Sequence, residues 1–121
     1  MNTKIKWLRE KIKMQNMQAI IISNPYNIKY LTGIEAEGTL IIARKENFFL
    51  TDGRYLETAK SVLTIDDEIV VTDISKMSRE DYETFFIFCE NVGFEENYIT
   101  YAQYKDICRN IKCTILKKQI I

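Results

Sequence analysis

Short stretches of this chain are apolar without interruption: Ala19-Ile20-Ile21-Ile22, Thr39-Leu40-Ile41-Ile42-Ala43 and Phe48-Phe49-Leu50-Thr51. Each is too short for a buried helix and rich in β-branched or aromatic residues, so each reads as a strand. A strand with one wet face alternates apolar and polar residues. A strand without that alternation is covered on both faces. The chain must therefore supply layers above and below a sheet.

The segments between the runs have the pattern such layers need. Residues 3–16 form an amphipathic helix with Ile5, Leu8 and Ile12 on its apolar stripe and a weak cap at Asn2 or Thr3. Asn24-Pro25 opens a short helical turn that Gly33 closes. Arg44 to Asn47 is short enough for a hairpin loop between the second and third apolar runs. Asp52 is expected to cap a helix running to about Leu63, because a short carboxylate there meets unpaired backbone N–H groups. Glu68 to Thr72 reads as a strand. Ser78 opens a helix whose stripe is Tyr82, Phe85, Phe86 and Cys89. Residues 91–94 form a short strand, Thr100 opens a helix striped by Tyr104, Ile107, Cys108 and Ile111, and Cys113 to Leu116 ends the order as a strand. A hairpin among crossover helices predicts a three-layer α/β domain with a mixed sheet. At 121 residues this is one domain, with enough chain for a real core.

Chemistry is constrained chiefly by what the sequence lacks. It contains no histidine, which removes Ser-His-Asp and Cys-His catalysis and every histidine-containing metal site. Cys89, Cys108 and Cys113 are expected to be buried, reduced thiols. Lys plus Arg and Asp plus Glu both number 17, with the two signs interleaved, so nucleic acid is not the expected partner. No run approaches the roughly 20 apolar residues that span a bilayer. The N-terminus has no signal-peptide pattern, and a cytoplasmic protein is expected. The glycines at 33, 38, 53 and 93 form neither a dinucleotide fingerprint nor a phosphate loop. Asp66-Asp67-Glu68 and Glu95-Glu96 read as solvated charge at element ends.

Three features invite function. Tyr30 is a polar-tipped aromatic at a helix end, Glu35-Ala36-Glu37 lies in the following loop, and Asp52-Gly53-Arg54-Tyr55 follows a strand at the sheet edge where α/β domains bind ligands. Arg54 has the fork that suits a carboxylate, or else an ion pair with Asp52 or Glu57.

Asn27-Ile28-Lys29-Tyr30-Leu31-Thr32-Gly33, Gly38-Thr39-Leu40 and Leu50-Thr51-Asp52-Gly53-Arg54-Tyr55 with Ala59 together resemble the N-terminal domain of the creatinase/prolidase family. These are the Xaa-Pro aminopeptidases and dipeptidases of the pita-bread metallopeptidase class. The likeness extends more loosely to Val92-Gly93-Phe94-Glu95 and Thr100 to Tyr104 and covers essentially residues 1–121. It implies an α/β/α fold of ribonuclease-H-like architecture. It also implies a parent enzyme that cleaves before proline with paired divalent metals, manganese or cobalt. The family's metal ligands belong to a C-terminal catalytic domain, to which no segment here corresponds. The chain alone is therefore expected to be inactive, with no catalytic or metal residue of its own. Its expected partners are that catalytic domain, a second subunit in a homodimer, and a proline-containing peptide. Tyr30, Asp52, Arg54 and Tyr55 become candidates for the substrate rim, with structural roles as the alternative. Other readings are a free-standing peptide or small-molecule binding module of the same fold, and the N-terminal domain of a creatinase-like amidinohydrolase. A nuclease of related fold would need clustered carboxylates on adjacent strand ends, which these apolar strands do not provide.

Overall fold

The computed structural model describes the backbone of residues 3–43, 46–66, 69–86, 89–95, 98–110 and 114–117. In order these residues form α1 (Thr3–Met14), β1 (Ala19–Ile22), α2 (Pro25–Thr32), β2 (Thr39–Ala43), β3 (Asn47–Thr51), α3 (Leu56–Asp66), β4 (Ile69–Asp73), a 3₁₀ turn (Ile74–Lys76), α4 (Arg79–Phe85), β5 (Asn91–Phe94), α5 (Tyr101–Asn110) and β6 (Thr114–Lys117). The element order and kind match the expectation. Residues 2, 44, 67, 68, 96 and 113, on which parts of that expectation rested, lie outside the described residues.

The strands form one mixed sheet in the order β4-β3-β2-β1-β5-β6. β2 runs antiparallel to β1 and β3, with Ile20 opposite Ile42 and Leu40 opposite Phe49. The pairs β3·β4, β1·β5 and β5·β6 are parallel. Alternate residues point to opposite faces. Ile20, Ile22, Leu40, Ile42, Phe49 and Ile69 meet α1, α2 and α3 through Ile5, Leu8, Ile12, Ile28, Leu31, Ala59 and Leu63. Ala19, Ile21, Ile41, Leu50, Val92 and Phe94 meet Phe86, Tyr82, Phe85 and Tyr104 of the α4 and α5 layer. All four residues of β1 are buried, as its unbroken apolar run requires.

α2 is the element that positions the site, and its ends are well specified. Asn24 Oδ1 accepts from the Tyr26 N–H at 3.0 Å and Pro25 fills the first helical position. Gly33 closes the helix with φ of 81°, in the left-handed region that a Cβ disfavours. At eight residues it is longer than the little more than one turn expected. Gly38, just before β2, has a different cause. A Cβ there would sit 2.6 Å from the Leu50 carbonyl oxygen and 2.7 Å from the Phe49 ring.

Several local expectations are corrected. Asp52 does not cap α3. It closes a turn, accepting from the Arg54 N–H at 2.9 Å, while the helix begins at Leu56 and Ala59 N–H donates to the Tyr55 carbonyl. α4 ends at Phe85, so Cys89 lies beyond the helix as a half-buried thiol outside any disulfide, although it still packs on the α4-side core. The Ser78 and Thr100 caps form as expected, with Asp81 and Gln103 returning the reciprocal bonds.

Candidate functional site

The topology gathers one set of strand ends along a single edge of the sheet. Parallel β1 and β5 end there, as do β3 and β4, and antiparallel β2 begins there. From this edge the chain leaves β1 into α2 on one face and β5 towards α5 on the other. Ligands of α/β folds settle in the crevice where connections diverge in this way.

Here Glu95 occupies that crevice. Its carboxyl accepts from Ser23 N–H at 2.5 Å, Asn24 N–H at 2.9 Å and Asn27 Nδ2 at 2.6 Å. Only 5% of the residue is exposed, so the expectation of solvated charge is wrong for Glu95. The reason is long-range. Glu95 follows β5, β5 pairs beside β1, and the first N–H groups of the β1–α2 connection therefore point at it. The Asn27 signature and the Val92-Gly93-Phe94-Glu95 segment, distant in sequence, meet at this bond.

The second group of charges surrounds Arg54. Thr51, buried at the end of β3, donates its hydroxyl to the Glu37 carbonyl at 2.7 Å and ties down the 34–38 loop. Arg54 Nη2 lies 2.8 Å from Asp52 Oδ2 and its Nε 3.2 Å from Oδ1. The same Nη2 is 3.5 Å from Glu37 Oε2, so the second ion-pair partner is Glu37 rather than Glu57. The Arg54 guanidinium carbon sits 5.3 Å from the Tyr55 ring centre. Hydrogen bonds from the Arg54 side chain and backbone hold the Asp52 carboxyl below its ordinary range. Asp52 in turn raises Arg54. The Arg54 side chain remains 69% exposed. It is a guanidinium fixed at one end and open to solvent at the other.

Two hollows flank this group, and Glu37 lines both. One of about 360 Å³ lies between α2 and the loop, against Tyr26, Lys29, Glu35 and Tyr55. The other, about 490 Å³, is walled by Asp52, Tyr82, Tyr98 and Gln103. Lys29 and Glu35 form an exposed ion pair beside the first, which raises the amine and lowers the carboxyl. The structure therefore brings together Asp52, Arg54 and Tyr55. It places Tyr30 elsewhere, 52% exposed and under the Lys4 ammonium, 4.5 Å from its ring centre.

Among the described residues no group of three His, Cys, Asp or Glu side chains is disposed to hold a metal ion, and the sequence has no histidine. The residues described do not fit the divalent metals of the resembled enzymes. Also among the described residues, no helix is long and apolar enough to cross a membrane.

A family model described as the creatinase/prolidase N-terminal domain matches residues 4–117. The chain belongs to the creatinase/prolidase N-terminal domain family. A curated relative, the uncharacterized peptidase YqhT of Bacillus subtilis (strain 168), is 30% identical over 104 residues, covering 84% of this chain and 29% of its own length. The solved N-terminal domain of the cytoplasmic peptidase PepQ from Mycobacterium tuberculosis H37Rv shares the fold at a TM-score of 0.84 and 20% identity, covering 98% of this chain and 95% of that one. A Xaa-Pro dipeptidase from Bacillus anthracis shares it at 0.80 and 22% identity, covering 97% of this chain but 33% of that one. This creatinase/prolidase N-terminal domain thus spans about a third of those longer relatives.

Proposed function

We propose that the chain serves as the non-catalytic N-terminal domain of a metal-dependent Xaa-Pro peptidase. In that role it packs on a C-terminal catalytic domain, supports oligomerisation and forms part of the rim around a proline-containing peptide. The paired manganese or cobalt ions would be held entirely by the catalytic domain and would supply Lewis-acid activation of a water there.

The observation that carries the rim reading is the Arg54 corner. A guanidinium pinned by Asp52 has lost part of its conformational freedom, yet among the described residues no hydrogen bond uses its Nη1. Such a group is prepared for a carboxylate at little further ordering cost. The adjoining hollows offer tyrosine faces for the apolar part of a short peptide. Steady-state kinetics of the Arg54→Ala variant in the enzyme that carries the catalytic domain test this. A raised KM with unchanged kcat and unchanged melting supports the rim role. Unchanged kinetics with lowered stability would leave Arg54 as scaffold.

A further inference from the structure

We infer that the larger hollow beside Arg54 binds a run of prolines in the polyproline II conformation. This deepens the rim reading, on which it rests for its setting: the substrate class becomes peptides in which further prolines follow the cleaved bond. The hollow, about 490 Å³, opens at the sheet edge where β1 and β3 stop and β2 starts. Its volume lies within the roughly 300–1,000 Å³ of small-ligand sites.

The unspent polar groups of this hollow are neutral hydroxyls. Among the described residues, those of Ser23, Thr39, Tyr82 and Tyr98 have no hydrogen-bond partner. All four sit on fixed backbone. Ser23 N–H is held by Glu95, Thr39 opens β2 opposite Leu50, Tyr82 lies in α4, and Tyr98 N–H donates to the Glu95 carbonyl at 3.1 Å. Burial pushes the Tyr82 hydroxyl up, so it stays protonated and able to donate. The two carboxylates at the mouth, Asp52 and Glu37, both face Arg54. A cation would have to compete with that guanidinium, and an anion would meet the carboxylates. A neutral ligand with hydrogen-bond acceptors meets neither obstacle.

A proline run is such a ligand. Each proline keeps its carbonyl but has no N–H. The polyproline II helix makes no internal hydrogen bonds, so every carbonyl is open to a hydroxyl donor. An ordinary peptide brings as many N–H groups as carbonyls and asks the same hydroxyls to accept as well as donate. The pyrrolidine rings suit the Tyr82 and Tyr98 faces, as in other aromatic-lined sites for proline-rich chains, and the preformed helix loses little freedom on binding. Pro25 and Glu37 line the smaller hollow as well, so a chain leaving the larger one passes on to Tyr26 and Tyr55.

Two-dimensional NMR of the chain titrated with hexaproline blocked at both ends tests this. Saturable shifts are expected at Ser23, Thr39, Tyr82 and Tyr98, and none with a blocked Gly-Ser hexapeptide. Tyr82→Phe keeps the ring and loses the hydroxyl. It should weaken binding about three- to tenfold with the thermal melt unchanged, because that hydroxyl has no partner in the fold to lose. Tyr98→Ala, at a residue 44% exposed, should weaken it further. Shifts that fail to saturate, that appear equally with the Gly-Ser peptide or that lie away from the hollow overturn the inference, as does unchanged binding in both variants. The blocked peptide has no carboxylate for Arg54, so the two readings fail separately. Hexaproline binding at the hollow with unchanged Arg54→Ala kinetics would remove the rim reading alone. A raised KM in Arg54→Ala with no hexaproline binding would remove the proline site alone.

Discussion

Glu95 shows how a carboxylate becomes part of a core. Alone in the sequence, beside Glu96, it looks like solvated charge at a strand end. In the fold it meets two backbone N–H groups and the Asn27 amide. Glu95→Ala is expected to cost about 2–4 kcal/mol in chemical denaturation, because buried donors left unpaired are expensive. Glu95→Gln should cost less. Its amide oxygen still accepts from Ser23 and Asn24, while its N–H group opposes Asn27. Asp52 was legible as a residue of interest, but its task was not. Spacing suggests a helix cap, whereas the short turn to Arg54 forms first in sequence and occupies both oxygens. Because Arg54 favours the charged carboxylate, the folded pKa of Asp52 lies below its unfolded value. Its small stabilisation is therefore present above the ordinary carboxylate pKa of about 3.9 and is lost as pH falls through the folded value. Observed by NMR, Asp52 should titrate below the ordinary aspartate range and move up towards it in Arg54→Ala, where the backbone N–H at 54 still donates to it.

Elements were legible where a local pattern fixes them. The α1 stripe of Ile5, Leu8 and Ile12 is buried as its spacing requires, and α2 starts and stops on Asn24-Pro25 and Gly33. The end of α4 was not legible, because the apolar spacing of Phe85, Phe86 and Cys89 continues past the point where hydrogen bonding stops. The N–H of Phe86 already bonds to Glu83 and Thr84 carbonyls, and Cys89 turns back to the Phe86 carbonyl. Gly38 belongs to this scale too. No turn signal explains it, and only the approach of β3 does. Gly38→Ala is expected to lower stability by about 1–3 kcal/mol, since the nearest atom is a strand carbonyl that cannot move aside alone. Urea denaturation curves for the two proteins check this.

For the whole molecule, unbroken apolar strands predicted two covered faces, and the two core clusters confirm them. The strand order was out of reach, because β5 inserts beside β1 through contacts some 70 residues apart in sequence. That insertion creates the crevice Glu95 fills, while the Arg54 side chain stays exposed just beyond the end of β3. A chain without histidine, spanning about a third of its longer relatives, is expected to show no hydrolysis of Xaa-Pro peptides on its own with manganese or cobalt added. Chromatographic detection of released residues checks that, and turnover abolished by chelation would contradict it.

The central claim, that Arg54 faces substrate across the rim, meets its most direct test in the peptidase carrying the catalytic domain. KM is measured for a Xaa-Pro substrate with a free carboxyl end and for its amide, in wild type and Arg54→Ala. The account predicts a KM several-fold to about tenfold higher for the free acid in the variant, the modest range set by so exposed a guanidinium, with kcat and the amide unaffected. Equal KM values for both substrates in wild type and variant would contradict it.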